Sequence, residues 1–514
     1  MSSACPVARP KRPLAALMAI AFAAVLIAGC HGERERDTLV VGLTPVPVTL
    51  DPHHHNDAVT WSLLSNFYDS LVGFSDEMEL QGELAESWKQ ADATHVIFTL
   101  RPGVHFAGGE PLRAADVVVS FERARSDSRS RVRYYLLGIR SFEALDERRV
   151  IVETDGPSPT LLNRLAFLAI VPASDAGKAE ITIPNGTGPY KVEETAPGRS
   201  LTAMAWKSFR GLPPIKRIRF LFVEDGIALT RLFIGGGIDV LRLPRDDSLG
   251  EIRANPTLRL EPQPRLDVYL LAINPAAATG MAARALADLR VRRAMLMACD
   301  RQRLVSGVFR GAGTLATQYV HPMVFGYDPA IEAVPFDPVA AKTLLVRAGF
   351  ADGFEAPLEH AAGQGDLVAS IVADLAEVGI RIKPHEVPWP DLMRAAREGR
   401  NPLVLRAWSC STGDASDFLD ACVHTRSPEL GLGSQNYSGF SNQPIDALID
   451  AADREVAPLR RLQLLQQAQR ETLKELPVLP LVLRLGYLGV SQRVEVVTRY
   501  DLRQWVAAYH WRQR

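Results

Sequence analysis

Residues 403–417 combine an alternating strand pattern with side chains that can bind a small molecule. The alternation places Arg406 and Trp408 on the same face of a strand. A guanidinium on a cleft-facing side can hold a carboxylate in a bidentate pair, whereas on an edge strand the same Arg would face solvent. The loop that follows contributes hydroxyl donors at Ser411 and Thr412, then Gly413 and Asp414. The segment is therefore a candidate ligand site.

The chain offers little for catalysis or for metal binding. It contains neither a GxSxG nor an HExxH motif, and the glycines at 235–237 and 311–313 lack the spacing of a nucleotide-binding loop. Three consecutive histidines, 53–55, alternate in direction in an extended loop and cannot make a facial metal triad. We expect a solvated loop there, no metal site, no cofactor and no enzymatic activity.

Composition excludes other classes of protein. The formal net charge is −1, and about −4 remains once Arg9, Lys11 and Arg12 are removed, so there is no basic excess for nucleic acid. After the N-terminal segment, no apolar run is long enough to span a bilayer. A chain of 514 residues outgrows one hydrophobic core, so at least two domains are expected.

The N-terminus has the pattern of a secretory signal. Three basic residues precede an apolar run at 14–28, followed by Gly29 and Cys30. Residues 26–30, LIAGC, resemble a bacterial lipobox, in which Cys30 becomes the lipidated first residue of the mature protein. The alternative is an ordinary signal peptide with an incidental Cys30. The pattern predicts a signal peptide over 1–29 and a lipid-anchored mature protein.

The body of the chain alternates short strands with helices. Val96, Phe98 and Leu100 share one face of a predicted strand over 95–100, and a helix is predicted over 114–123. Residues that favour helix ends, namely Asp, Asn, Pro and Gly, predict further helices at 338–349, from 444 onward and at 459–476. Residues 285–301 are predicted to form one helix. This order is typical of an α/β protein.

Several segments resemble the extracytoplasmic solute-binding proteins of ABC importers, family 5, the peptide- and nickel-binding type. The most specific is 84–123, LAESWKQADATHVIFTLRPGVHFAGGEPLRAADVVVSFER, although Arg113 stands where the family usually has a capping Thr or Ser. The GTGPYK element at 186–191 and helix 285–301 are also similar. The resemblance covers nearly all of the mature chain.

The resemblance implies a two-lobed α/β fold of the periplasmic-binding-protein type II, large class, with an extra domain in the first lobe. The implied boundaries are 38–265 for the first lobe with an insertion at about 80–180, 266–480 for the second lobe, and 481–514 for the C-terminal return to the first lobe. Apolar runs at 266–274 and 478–490 are the predicted crossings between the lobes.

In peptide-binding relatives, a Gly-Trp followed by a Gly-Asp supplies an aspartate that pairs with the α-amine of the ligand. Trp408 and Asp414 match this pattern, and a carboxylate buried by lobe closure is a fitting partner for an ammonium. The alternative is that Asp414 caps a turn. The usual Asp-Pro-Asp is replaced by Ala415-Ser416-Asp417, which puts the pocket size in doubt, and Tyr437 matches a motif beside the cleft.

Three cysteines remain in the mature chain after Cys30. Cys299 lies on an apolar helix face and is expected to be a buried free thiol. Cys410 and Cys422 flank the candidate loop and could form a disulfide in an oxidising compartment, a pairing that the sequence leaves open.

The resemblance thus implies a monomeric, lipid-anchored binding protein in the periplasm or at the cell surface. It would capture a peptide or similar amine-bearing solute and deliver it to an ABC permease and its ATPase. A sensor lipoprotein on the same scaffold and a secreted enzyme are the alternatives.

Overall fold

The computed structural model describes residues 37–501 and 503–512, so the predicted signal peptide and Cys30 lie outside the described residues. The strands, in chain order, are β1 Thr38–Leu43, β2 Val72–Phe74, β3 Leu80–Gly82, β4 Ala85–Gln90, β5 His95–Leu100, β6 Ile139–Ala144, β7 Arg149–Thr154, β8 Tyr190–Ala196, β9 Ser200–Ala205, β10 Arg217–Phe222, β11 Val240–Arg242, β12 Leu258–Gln263, β13 Asp267–Ile273, β14 Gly313–Leu315, β15 Phe354–Ala361, β16 Ile380–Val387, β17 Leu403–Ser409, β18 Val478–Arg484, β19 Gly486–Ser491, β20 Val494–Glu495 and β21 His510–Trp511.

The helices lie between these strands. In chain order they are α1 Ala58–Leu64, α2 Ala114–Ser126, α3 Leu161–Leu165, α4 Ala173–Ala176, α5 Gly226–Ile234, α6 Leu249–Ala254, α7 Gly280–Ala287, α8 Leu289–Ala298, α9 Arg301–Arg303, α10 Pro338–Arg347, α11 Gly365–Glu377, α12 Trp389–Arg397, α13 Ser416–Phe418, α14 Gln443–Arg454 and α15 Pro458–Glu475. Among the described residues, no helix is both long enough and apolar enough to cross a membrane.

Two large mixed sheets organise the chain. The first has the order β12-β19-β11-β1-β10-β9-β8, and the second has the order β14-β18-β13-β17-β15-β16. A smaller antiparallel sheet, β4-β5-β7-β6, lies in the segment between β3 and β8. Parallel pairs such as β1 with β10 and β15 with β16, flanked by helices, confirm the predicted α/β class.

Local sequence patterns explain many of these elements. In β5 the residues Val96, Phe98 and Leu100 are buried as predicted, and the strand pairs with β4 and β7. Helix α10 begins after Asp337, whose carboxylate accepts from the Ala340 N–H at 2.8 Å. The single helix predicted over 285–301 is wrong, because Asp288 adopts an extended conformation that ends α7 and then caps α8.

The chain passes between the two large sheets twice. The first passage is the short segment 264–266 between β12 and β13, and the second is Leu485 between β18 and β19. Strand β19 inserts between β11 and β12, so the C-terminal residues rejoin the first sheet. We call the parts built on the first and second sheets lobe 1 and lobe 2, with the small sheet assigned to lobe 1.

The two lobes are in contact in this structure. Asn163 of α3 donates from Nδ2 to the carbonyl oxygen of Thr412 at 2.7 Å. One continuous cluster of buried apolar side chains includes Phe98 of the small sheet together with Val268 and Phe418 of lobe 2. The lobes therefore enclose the space between them, near the two crossing segments.

Candidate functional site

A cavity of about 390 Å³ lies beside the two crossings. Both lobes line it: lobe 1 through the loop before α1, the end of β11 and the C-terminal segment, and lobe 2 through the start of β13 and the loop after β17. Its polar lining consists of His55, Asn56, Asp57, Arg242, Arg265, Asp267, Ser409, Ser411, Tyr500 and Asp501. Such a cavity between lobes is a typical place for a small-molecule site.

Arg242 is the most unusual charge in the cavity. It is the last residue of β11 and is only 8% exposed, and its Nε has no hydrogen-bond partner. Burial and the nearby charge of Arg265 lower the pKa of Arg242 to about 10, against the opposing charges of Asp267 and Asp57, so the guanidinium remains charged at neutral pH. No ion pair to Arg242 is formed by the residues that the structure describes. A buried cation without a direct ion pair is costly, and a bound anion would compensate it.

Three other charged residues of the cavity, Arg265, Asp267 and Asp501, already have partners. Arg265, in the first crossing, forms an ion pair with Asp267. Burial raises the pKa of Asp501, but the charge of Arg503 and the hydrogen bond from Arg499 outweigh it and hold that pKa at about 2. Since Arg265 is paired, Arg242 is the arginine of the cavity lining that is available to bind a ligand carboxylate.

Helix α1, the loop before it and residues 135 and 167 form an aromatic wall of the cavity. The rings of Tyr135 and Phe167 stack with centroids 4.8 Å apart, and Trp61 lies 5.5 Å from Phe167. His55 lies 6.3 Å from Trp61 and is 3% exposed. The cavity thus has an apolar aromatic side as well as charged groups, a combination that suits an amphipathic solute.

Asp414, which the sequence predicts to bind the ligand, is paired with Arg461 inside lobe 2. This carboxylate is 3% exposed and is held by both terminal nitrogens of Arg461, with Nη2 donating to Oδ1 at 2.9 Å. Its Oδ1 also accepts from the Ser416 N–H at 3.0 Å, and Asp414 does not line the cavity. Both oxygens are therefore used inside lobe 2, and the turn-capping alternative fits the observed geometry.

Arg406, Trp408 and Tyr437 come together, but outside the large cavity. The Arg406 guanidinium lies between the two rings, 4.7 Å from the Trp408 centroid and 4.9 Å from that of Tyr437. Arg406 and Tyr437 line a separate space of about 10 Å³ inside lobe 2, which has room for no more than a water molecule. Arg406 is thus neither solvent-facing nor part of the cavity between the lobes.

The loop after β17 reaches the cavity through its serines. Ser409 and Ser411 line it, and the role of Ser411 as a hydroxyl donor to ligand stays a prediction. Thr412 instead donates its hydroxyl to Asp417, at 3.2 Å. Gly413 has a φ of +72° and approaches Phe74 of lobe 1, so it belongs to the contact between the lobes.

The disulfide considered between Cys410 and Cys422 is absent from the structure. Both residues are buried free thiols within the apolar cluster that spans the two lobes, and Cys299 is a buried free thiol as predicted. Burial raises the pKa of Cys422 to about 12, so this thiol is neutral and packs as a small apolar side chain.

The expectation of a solvated loop at the three histidines is wrong. His53 is buried, with Nε2 against the Ala169 carbonyl oxygen at 2.9 Å and Nδ1 against the Arg123 guanidinium at 3.0 Å. His54 meets Asp127 at 2.8 Å, and His55 faces the cavity. The three imidazole rings contact different groups and do not converge on one point. The described residues contain no group of side chains able to hold a metal ion.

Asp417 predicts a pH dependence of stability. Burial and the charge of Asp414 raise the pKa of Asp417 from 3.8 to about 6, against the hydrogen bond from Thr412. Because the folded state binds this proton more tightly than the unfolded state, Asp417 destabilises the protein as the pH rises from about 4 to 7. Asp417→Asn should therefore raise the free energy of unfolding by about 2 kcal/mol more at pH 7.5 than at pH 4.5. Urea denaturation at both pH values measures this.

The matched control is Asp352→Asn, because Asp352 is exposed and should change little at either pH. The raised pKa of Asp417 would be contradicted if Asp417→Asn changed the free energy of unfolding by the same amount at pH 4.5 and at pH 7.5.

Comparison with known proteins defines the class. The two lobes joined by two crossings match the solved structure of HbpA2 from Haemophilus parasuis with a TM-score of 0.80 and 24% identity, covering 93% of this chain and 100% of that chain. They also match the ABC transporter-associated periplasmic binding protein DppA from Helicobacter pylori, in complex with the peptide STSA, with a TM-score of 0.74 and 21% identity, over 93% and 98% of the chains. The predicted two-lobed type II fold is thereby confirmed.

The family follows from the sequence. Residues 79–428 match the model of the bacterial extracellular solute-binding proteins, family 5 middle region, and the chain belongs to this family. It is 28% identical to heme-binding protein A of Haemophilus influenzae over 469 residues, 83% of each chain. It is also 28% identical to the glutathione-binding protein GsiB of Escherichia coli over 488 residues, 91% of this chain and 92% of that protein. The family consists of solute-binding components of transport systems.

Proposed function

We propose that this protein is the lipid-anchored substrate-binding component of an ABC importer and that it captures a small carboxylate-bearing solute between two closing lobes. The observation that carries the ligand class is Arg242, a buried guanidinium that forms no ion pair with the residues that the structure describes and lies in a cavity lined by both lobes. A carboxylate would supply the missing charge and bidentate hydrogen bonds. The solute would then pass to a permease.

The size of the cavity favours a small ligand. A volume of about 390 Å³ lies near the lower end of the range of small-molecule sites, about 300–1,000 Å³. A short peptide or a tripeptide-like thiol fits this range better than an extended oligopeptide. The similarity to a glutathione-binding protein and to a peptide-binding protein supports the same class of ligand.

A thermal-shift screen tests the ligand class. The panel contains glutathione, di- and tripeptides, simple dicarboxylates such as succinate and glutarate, and the corresponding carboxamides. A ligand at a hundred times its dissociation constant raises stability by about 2.7 kcal/mol, which is easily measured. Stabilisation by carboxylates and not by carboxamides is expected. Equal stabilisation by the two forms would refute the ligand class, and consumption of the ligand would favour the enzyme alternative.

Lipidation at Cys30 is a separate prediction, which rests on the LIAGC segment. Metabolic labelling with a clickable fatty acid should mark the wild-type protein and leave Cys30→Ser unlabelled. Cys5→Ser is the control and should be labelled like wild type, because Cys5 would leave with the signal peptide. Equal labelling of Cys30→Ser and wild type would refute the lipid anchor.

Uptake separates the importer from a sensor on the same scaffold. A strain without this protein should lose uptake of the labelled ligand and recover it when the wild-type chain is restored. Unchanged uptake, together with an altered transcriptional response to the ligand, would favour the sensor.

A further inference from the structure

The loop before α1 leaves buried polar atoms unsatisfied at the wall of the cavity. Neither ring nitrogen of His55 has a hydrogen-bond partner of normal geometry, although the side chain is 3% exposed and lies near the backbone of Asp57. Oδ2 of Asp57 is buried and also lacks a partner. Buried polar groups are nearly always paired, so two such residues beside the same cavity indicate that a bound molecule supplies their partners.

Oδ2 of Asp57 is not needed to cap α1, because the other carboxylate oxygen already does so. Its Oδ1 already accepts from the N–H groups of Val59 and Thr60, at 3.1 and 2.8 Å, and caps α1. The hydrogen bonds to Oδ1 fix the orientation of the carboxylate, and Oδ2 remains without a partner. An oxygen fixed in this way is suited to receive a hydrogen bond from a positively charged donor.

His55 complements this oxygen. Burial lowers the pKa of His55, which keeps the imidazole neutral at neutral pH, with one nitrogen as a donor and the other as an acceptor. The neighbouring Trp61 ring, 6.3 Å from the His55 ring, adds an aromatic surface that favours a cation.

We propose that His55 and Asp57 form a subsite for an ammonium group of the ligand, within the cavity whose Arg242 takes the ligand carboxylate. The ligand would then be zwitterionic, such as an amino-acid derivative or a short peptide with a free amine. This inference rests on the proposed function and adds the second recognition element. It also places the amine at the start of α1 in lobe 1, far in sequence from Asp414.

The test compares Asp57→Asn with wild type. Asparagine retains the helix cap, because it is as good an N-cap as aspartate, and it removes only the charge. The probes are glutathione and a panel of di- and tripeptides, each paired with its N-acetylated form, with succinate and glutarate as carboxylates without an amine. Calorimetry measures the dissociation constants.

The free-amine member that binds wild type most tightly should lose at least about tenfold in affinity on N-acetylation, and about tenfold in Asp57→Asn. The acetylated form should bind Asp57→Asn and wild type within twofold of each other. His55→Phe, which preserves the ring shape and removes both nitrogens, should also weaken the free-amine ligand and serves as the second variant if Asp57→Asn is poorly folded.

Two results would overturn the subsite. One is that Asp57→Asn and His55→Phe bind the free-amine ligand as tightly as wild type does. The other is that N-acetylated peptides, succinate or glutarate bind wild type at least as tightly as the free-amine compounds, which would leave the carboxylate site of Arg242 intact. If neither carboxylates nor zwitterions bind wild type, the proposed function fails together with the subsite.

Discussion

Replacing Arg461 with Met should lower the free energy of unfolding by about 3–5 kcal/mol, because it leaves the carboxylate of Asp414 buried without its counter-ion. Both terminal nitrogens of Arg461 bond to this carboxylate, and both side chains are almost fully enclosed. Arg461 Nε also donates to the Ala452 carbonyl oxygen at 3.0 Å, so the substitution removes a link between α14 and α15 as well. Urea denaturation measures the loss.

Arg460→Met is the matched control, since Arg460 is the exposed neighbour on the same helix and should change stability by less than about 0.5 kcal/mol. The double variant Asp414→Leu with Arg461→Met should be more stable than Arg461→Met alone, because no unpaired charge remains buried. It should also bind ligand like wild type. A loss below about 1 kcal/mol for Arg461→Met would show that the pair is not a structural element of lobe 2.

Replacing Arg242 with Ala should weaken binding of the carboxylate ligand by at least about 2 kcal/mol, roughly 30-fold or more. The ligand carboxylate would then be enclosed without a cation, since Arg265 is already paired with Asp267. The unliganded protein should keep its free energy of unfolding or gain slightly, because the variant lacks an uncompensated buried charge. Loss of binding without loss of stability distinguishes a ligand-binding residue from a structural one.

Arg231→Ala is the control for Arg242→Ala, because Arg231 is an exposed residue of α5 in the same lobe. It should bind every ligand like wild type. Calorimetry with succinate, glutathione and the best peptide measures both variants. Equal affinity of Arg242→Ala and wild type for all of them would exclude Arg242 as the carboxylate site.

Local patterns predicted the elements of the fold well. The alternating residues of β5 and the Asp337-Pro338 start of α10 depend on neighbours within a few positions, and the structure has both. The sequence does not reveal the break at Asp288, because the apolar residues on its two sides continue at helical spacing, although Asp is a common N-cap. Strand alternation and helix caps depend on residues that are close in sequence, so they can be predicted from the sequence alone.

The site depends on long-range pairing, which a single sequence does not reveal. The residues next to Asp414 in sequence are those expected around a ligand-binding aspartate. Its carboxylate is nevertheless paired with Arg461, which lies 47 positions later in the chain. Arg242 and Asp57 lie 185 positions apart and face the same cavity only because β11 and the loop before α1 meet at the crossings. The run of histidines was the one visible signal for His55, and its burial could not be predicted from an extended, polar loop.

The most direct test is native mass spectrometry of the wild-type protein and Arg242→Ala, both purified without refolding. Wild type should carry a small molecule that contains a carboxylate and is released by gentle activation, and Arg242→Ala should be recovered folded and without it. A wild-type protein that carries only ligands lacking an acidic group, or an Arg242→Ala protein that retains the same ligand at the same occupancy, would contradict the account of a carboxylate-binding transport protein.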